Sequence, residues 1–122
     1  MRVDNISLGT IGEIYATEYL SKQGYKIIEK NFKKRYGEID IVALDDNTLV
    51  FIEVKTRTGS SFGSGEEAIT PWKLKSLISC AHYYKLIHPK LPESMRIDLV
   101  SILLSQKTDE IEEIKLYKNI SS

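Results

Sequence analysis

Residues 37–57 read Gly-Glu-Ile-Asp-Ile-Val-Ala-Leu-Asp-Asp-Asn-Thr-Leu-Val-Phe-Ile-Glu-Val-Lys-Thr-Arg, and this stretch decides the fold. Two β-prone runs, Ile39 to Leu44 and Thr48 to Val54, flank a tight polar turn at Asp45-Asp46-Asn47. Strand alternation sends Val42, Leu44, Leu49 and Phe51 to one face and Ile39, Ile41, Ala43, Val50, Ile52 and Val54 to the other. A hairpin that is apolar on both faces belongs in the interior of a covered sheet. Its few charges are therefore conspicuous.

If Asp46 and Asn47 form a two-residue turn, Asp45 pairs with Thr48, and counting outward sets Asp40 opposite Glu53. Opposed residues share a face, with Cβ atoms roughly 4.5–5.5 Å apart. Lys55, two residues past Glu53, emerges on that face, and Glu38 falls opposite Lys55, where an ion pair is expected. Two facing carboxylates in an apolar setting repel each other and need a partner. A hard divalent cation supplies one, since magnesium takes oxygen ligands and binds through one or two carboxylates plus substrate phosphate. The competing reading is a surface Glu-Lys pair of little energetic weight. Register separates the two, because a one-residue slip would send Glu53 to the opposite face.

Composition narrows the class. The chain has 122 residues, 42% hydrophobic and 28% charged, as expected of one ordinary globular domain over 1–122. Its core is expected over about 8–104, with an edge strand at about 111–118. No apolar run is long enough to span a bilayer and no signal-peptide core opens the chain, so no membrane partner is expected. A single cysteine, Cys80, sits in an apolar helical pattern and reads as a buried filler in a cytoplasmic protein. Net charge is zero, which argues against an indiscriminate nucleic-acid binder. The charges are nonetheless uneven: Lys26, Lys30, Lys33, Lys34 and Arg35 precede the hairpin, Lys55, Arg57, Lys73 and Lys75 follow it, and Asp109, Glu110, Glu112 and Glu113 gather near the C-terminus. A bipolar molecule can offer phosphates a basic face while staying neutral overall.

Around the hairpin the pattern predicts a first helix from about Ile11 to Gln23, with Gly24 as its stop. Thr10-Ile11-Gly12-Glu13 fits a capping box, in which Glu13 would bond back to the cap amide. Gly9 and Gly12 would let this helix start approach its neighbours closely. A strand from Gly24 to Asn31 follows, then a basic connecting turn from Asn31 to Gly37. Thr58 to Gly65 is a Gly/Ser-rich loop carrying Phe62, which suits stacking on a base or packing against the protein. Thr70-Pro71 opens a second helix whose stripe, Leu74, Leu77, Ile78, Ala81 and Tyr84, runs to about Ile87. Arg96 to Leu104 reads as a strand in which Arg96 neutralises Asp98, a pair expected to support the site or the sheet. His82 and His88 have no metal-ligand spacing.

Asp40 followed by Glu53-Val54-Lys55 across a hairpin resembles the PD-(D/E)XK nuclease signature, with Ile39 where a proline often stands. More closely, Gly9-Thr10-Ile11-Gly12-Glu13, Asn31-Phe32, Gly37-Glu38-Ile39-Asp40, Phe51 to Arg57, Phe62-Gly63, Lys73 and Arg96-Ile97-Asp98 together resemble the YraN family. These are small bacterial proteins described as predicted endonucleases, distantly related to archaeal Holliday junction resolvases. The resemblance implies a restriction-endonuclease-like α/β core, a mixed sheet of about five strands flanked by helices in the order αβββαβ. It implies a metal-dependent DNA endonuclease, with branched DNA as one substrate and a homodimer as one assembly. Asp40 and Glu53 would hold Mg2+ or Mn2+, Glu13 would join as a third acid, and Lys55 would complete the catalytic set. Arg35, Arg57, Phe62, Lys73 and Lys75 are the candidate substrate contacts, and Glu38, Arg96 and Asp98 the supporting residues. The alternatives are a nucleic-acid-binding module that keeps the fold but cleaves poorly, and a purely structural protein whose acids pair with Lys55, Arg57 and Arg96.

Overall fold

The predicted hairpin forms in the expected register. In a computed structural model describing residues 7–35, 37–59 and 69–121, strands β2 (Gly37–Asp45) and β3 (Thr48–Thr58) pair antiparallel from Asp45/Thr48 to Ile41/Ile52. Asp46 turns the chain at φ 52°, a left-handed conformation that Asp tolerates better than most residues. On one side β2 pairs antiparallel with β1 (Lys26–Lys34); on the other, β3 runs parallel to β4 (Ser94–Leu104). Strand β5 (Ile111–Tyr117) closes the sheet antiparallel to β4, giving the order β1-β2-β3-β4-β5. The parallel β3–β4 step needs a crossover, and helix α2 (Pro71–Ile87) lies within it. Helix α1 (Leu8–Lys22) precedes β1.

Each face of the sheet has its own core. Ala16 and Leu20 of α1 pack with Ile41, Ala43, Val50, Ile52, Val100, Ile102 and Leu104. Leu77, Cys80, Ala81 and Tyr84 of α2 pack with Phe32, Val42, Leu49, Phe51 and Ile97, with Leu74 and Ile78 at the margin. The expected two-faced hairpin is present, with one correction. Ile39 joins the α2-side core, whereas Ile41, two residues on, joins the α1 side. Strict alternation fails at Asp40 because β2 has no backbone pair on β3 beyond Ile41, and its outer end follows β1.

Two boundaries also differ from expectation. Helix α1 starts earlier, because Ser7 Oγ accepts from Thr10 N at 3.1 Å and caps it. It ends as expected at Gly24 (φ 98°), where Gly24 N donates to Ser21 O and Tyr25 N to Leu20 O, the two bonds of a Schellman stop. Strand β1 continues through Asn31 to Lys34, so the basic segment read as a loop is mostly strand. Phe32 holds it there, buried edge-on against Tyr84 with ring centroids 4.8 Å apart. Strand alternation puts the adjacent isoleucines Ile27 and Ile28 in different cores, and because each face is covered by a helix both can be apolar; the register with β2 shifts between Ile27 and Glu29. Among the described residues, no helix is long and apolar enough to cross a membrane.

Candidate active site

The functional candidates gather where the central strands part. The β1–β2 ladder runs outward to Lys34/Gly37 and the β3–β4 ladder to Thr58/Leu104, but β2 and β3 share no backbone pair beyond Ile41/Ile52. A fork opens there, and Asp40 and Glu53 stand at its base. Asp40 replaces the missing ladder bond with its side chain: Val54 N donates to Asp40 Oδ2 at 2.8 Å. The carboxylate is thereby oriented by the strand it faces.

Glu53 is only 3% exposed and lies within hydrogen-bonding reach of Asp40. Its Oε2 receives two ammonium groups, Lys55 Nζ at 3.8 Å and Lys73 Nζ at 3.7 Å. Its Oε1 is buried with no hydrogen-bond partner. Burial first, and the neighbouring Asp40 charge second, push the Glu53 carboxyl up to about 7 against the pull of both lysines. Burial also raises Asp40, opposed by the Val54 N–H. The two carboxyls form a coupled pair that resists losing its last proton.

Glu13 approaches from α1. The Ser7 cap puts Glu13 in the second turn, so the capping-box alternative does not apply. Burial raises its carboxyl, and the Asp40 charge raises it further. Asn31, at φ 57°, hydrogen-bonds Glu13 and lies in β1 between the pairs that flank Asp40. Gly12 permits this approach: a Cβ there would lie 1.7 Å from Thr56 Oγ1. Gly9 has no such contact, its nearest neighbour being Ser7 Oγ at 3.9 Å. Together Glu13, Asn31, Lys30, Lys33 and Glu38 line a polar cleft open to solvent.

Among the described residues, no three of His, Cys, Asp and Glu form a ready metal cage. The close pair is Asp40 and Glu53, with Glu13 farther off. An orphaned buried carboxylate oxygen beside a second carboxylate nevertheless fits a divalent cation, which would replace the shared proton and remove the repulsion.

The remaining candidates divide. Lys73 turns inward onto Glu53 and so belongs to the site itself. Arg57 donates to Ser101 Oγ at 3.4 Å on β4. Arg35 is exposed at the tip of the β1–β2 hairpin, and Lys75 is exposed on α2, its Nζ 6.0 Å from the Trp72 ring. Phe62 lies outside the described residues. Glu38 pairs with Lys33, Nζ to Oε2 3.9 Å, rather than with Lys55, because past the fork its strand neighbour is β1. Arg96 and Asp98 do pair, at 3.0 Å, but the network they form braces the hairpin turn. Arg96 also reaches Asp45 Oδ2 at 2.6 Å and Tyr25 Oη at 2.8 Å, while Asp98 accepts from Tyr25 Oη and Asn119 N.

Sequence reasoning left Asn31 out of the site and made Lys73 a phosphate contact. Asn31 gave a signal only as part of the Asn31-Phe32 pair in the family pattern. For Lys73 the signal was a lysine in a helix first turn, where the macrodipole disfavours it.

A model of the Uncharacterised protein family UPF0102 matches residues 12–102. A UPF0102 protein of Syntrophomonas wolfei is 46% identical over 110 residues, covering 90% of this chain and 96% of that protein. One from Geobacter metallireducens is 42% identical over 114 residues, covering 93% of each, and one from Caldanaerobacter subterraneus is 39% identical over 113 residues at the same coverage. The matched region runs from the glycine against Thr56 to Ile102, which pairs with Thr56 in the parallel strands, and on these matches the chain belongs to the UPF0102 family.

Proposed function

We propose that this protein is a metal-dependent endonuclease that hydrolyses DNA phosphodiester bonds, built on the PD-(D/E)XK plan that its residues resemble. The observation that carries the reading is Glu53: an almost fully buried carboxylate with one orphaned oxygen, set against Asp40 and approached by two lysines. A structural ion pair would engage both oxygens and would not need a second acid beside it.

Asp40 and Glu53 would hold Mg2+ or Mn2+, with Glu13 contributing directly or through water and the Val54 carbonyl as a further ligand. Such an ion supplies charge neutralisation at the phosphate and acidifies water. The protein's own groups do the rest. Val54 N–H keeps Asp40 aimed into the fork. Lys55, half-exposed at the rim, orients the attacking water and stabilises negative charge that develops on the phosphoryl oxygens. Lys73 holds Glu53 in place and adds a second positive charge from α2. No Ser-His pair is needed.

The test is cleavage of four-way junction, flap and linear DNA by the purified protein with Mg2+ or Mn2+. Asp40-dependent cutting supports the reading. Binding without cutting would favour a nucleic-acid-binding module.

A further inference from the structure

Phe32, Phe51 and Tyr84 are buried, and Tyr83 is 38% exposed. Trp72 is 80% exposed. It has no capping duty, which Thr70 performs by accepting from Lys73 N at 3.1 Å, and the proline that starts the helix is Pro71. Leaving the largest apolar side chain in water forgoes the stabilisation its burial would give. The same turn breaks a second rule. Helix N-termini favour acidic residues, yet the first turn of α2 has none; Lys73 stands there instead, with Lys75 just beyond it. Lys73 reaches the buried Glu53 at 3.7 Å, so the residue next to Trp72 in the chain is part of the candidate active site. Lys75, one turn on, lies over the indole, its Nζ 6.0 Å from the ring.

We propose that Trp72 is a stacking platform for an unpaired base, with Lys75 and the α2 N-terminus receiving the adjoining phosphate. The substrate class then narrows to DNA that exposes unpaired bases beside the cut: flaps, gaps, single strands or the open centre of a branch. An exposed indole flanked by cations provides what sequence-tolerant single-strand binding needs, a π surface and a positive track for the backbone. Paired bases in an intact duplex present no free face to it. This inference rests on the nuclease reading for the role of the neighbouring acids, but not for the binding itself.

The chain's single tryptophan makes the test direct. Binding is measured in EDTA, where no cutting occurs, by indole fluorescence and by anisotropy of labelled oligothymidine, flap DNA and blunt duplex. Oligothymidine and flap DNA are expected to quench the indole strongly and blunt duplex weakly. Trp72→Ala is expected to weaken oligothymidine binding about ten-fold, with Trp72→Phe keeping most of the affinity. Unchanged oligothymidine affinity in Trp72→Ala, or equal quenching by blunt duplex, overturns the proposal. With Mg2+ added, the two readings separate. Quenching without cleavage sinks the nuclease and keeps the platform, while Trp72→Ala that cuts flap DNA like the parent protein sinks the platform and keeps the nuclease.

Discussion

Replacing Glu53 by Gln weighs the two forces that compete at the site, burial and the lysines. Burial and Asp40 hold the Glu53 carboxyl at about 7 against 4.5 for a free glutamate. At about 1.4 kcal/mol per pKa unit, ionising it in the folded protein costs roughly 3 kcal/mol relative to the unfolded chain. Because the folded value is raised, this group's contribution is fully present below pH 4.5 and is lost as pH rises toward and past 7. Glutamine keeps the shape and has no proton to lose. In chelator, Glu53→Gln and the parent protein should therefore melt together near pH 4.5. At pH 8 the variant should melt about 10 °C higher, from an unfolding entropy of about 2 cal/mol/K per residue. The difference between the curves reports the Asp40–Glu53 pair, since removing the Glu53 charge also removes its repulsion of Asp40. Mg2+ at pH 8 should lift the parent and leave the variant where it is. A variant less stable than the parent at pH 8 without metal would refute the reasoning, because the Lys55 and Lys73 ion pairs would then outweigh burial and make Glu53 an ordinary buried bridge.

Four further outcomes follow from the geometry. Asp40→Asn preserves an oxygen acceptor for Val54 N, so its melting temperature should stay within a few degrees while cleavage is lost; Asp40→Ala should lose both activity and about 1–2 kcal/mol, read by chemical denaturation. Lys73→Met should shift the pH profile of cleavage upward by removing a charge that lowers the Glu53 carboxyl, whereas Lys55→Met should lower the plateau itself by about 100-fold or more. Gly12→Ala should cost about 1–3 kcal/mol by driving a methyl into Thr56, with part of that loss restored in Gly12→Ala/Thr56→Ala, as a double-mutant cycle would show. Arg96→Met should destabilise the fold by about 3–5 kcal/mol, because it strands the fully buried Asp98; activity per folded molecule should be unchanged if the network serves only the turn.

Much of the architecture is legible in the chain. The alternation through Ile41 to Ile52 encodes a two-faced central hairpin, and Asp45-Asp46-Asn47 sets its register as far as Ile41/Ile52, one step short of Asp40 and Glu53. Thr70-Pro71 and Gly24 mark helix ends through local chemistry that sequence carries intact. Local signals failed where another contact, near or distant, won. The Lys-rich segment after Asn31 looks like a turn, yet Phe32 finds the α2-side core and pulls it into strand; Thr10 looks like a cap, yet Ser7 takes that role.

By itself, then, the sequence determined a hairpin register that brings two carboxylates to its open end, because register follows from counting and from burial on both faces. Only the tertiary structure decided what surrounds them. The fork exists because the outer halves of β2 and β3 follow different neighbours, and Lys73, Asn31 and Glu13 reach it from three separate elements. Those approaches depend on how helices cross a twisted sheet, which no spacing along one strand records.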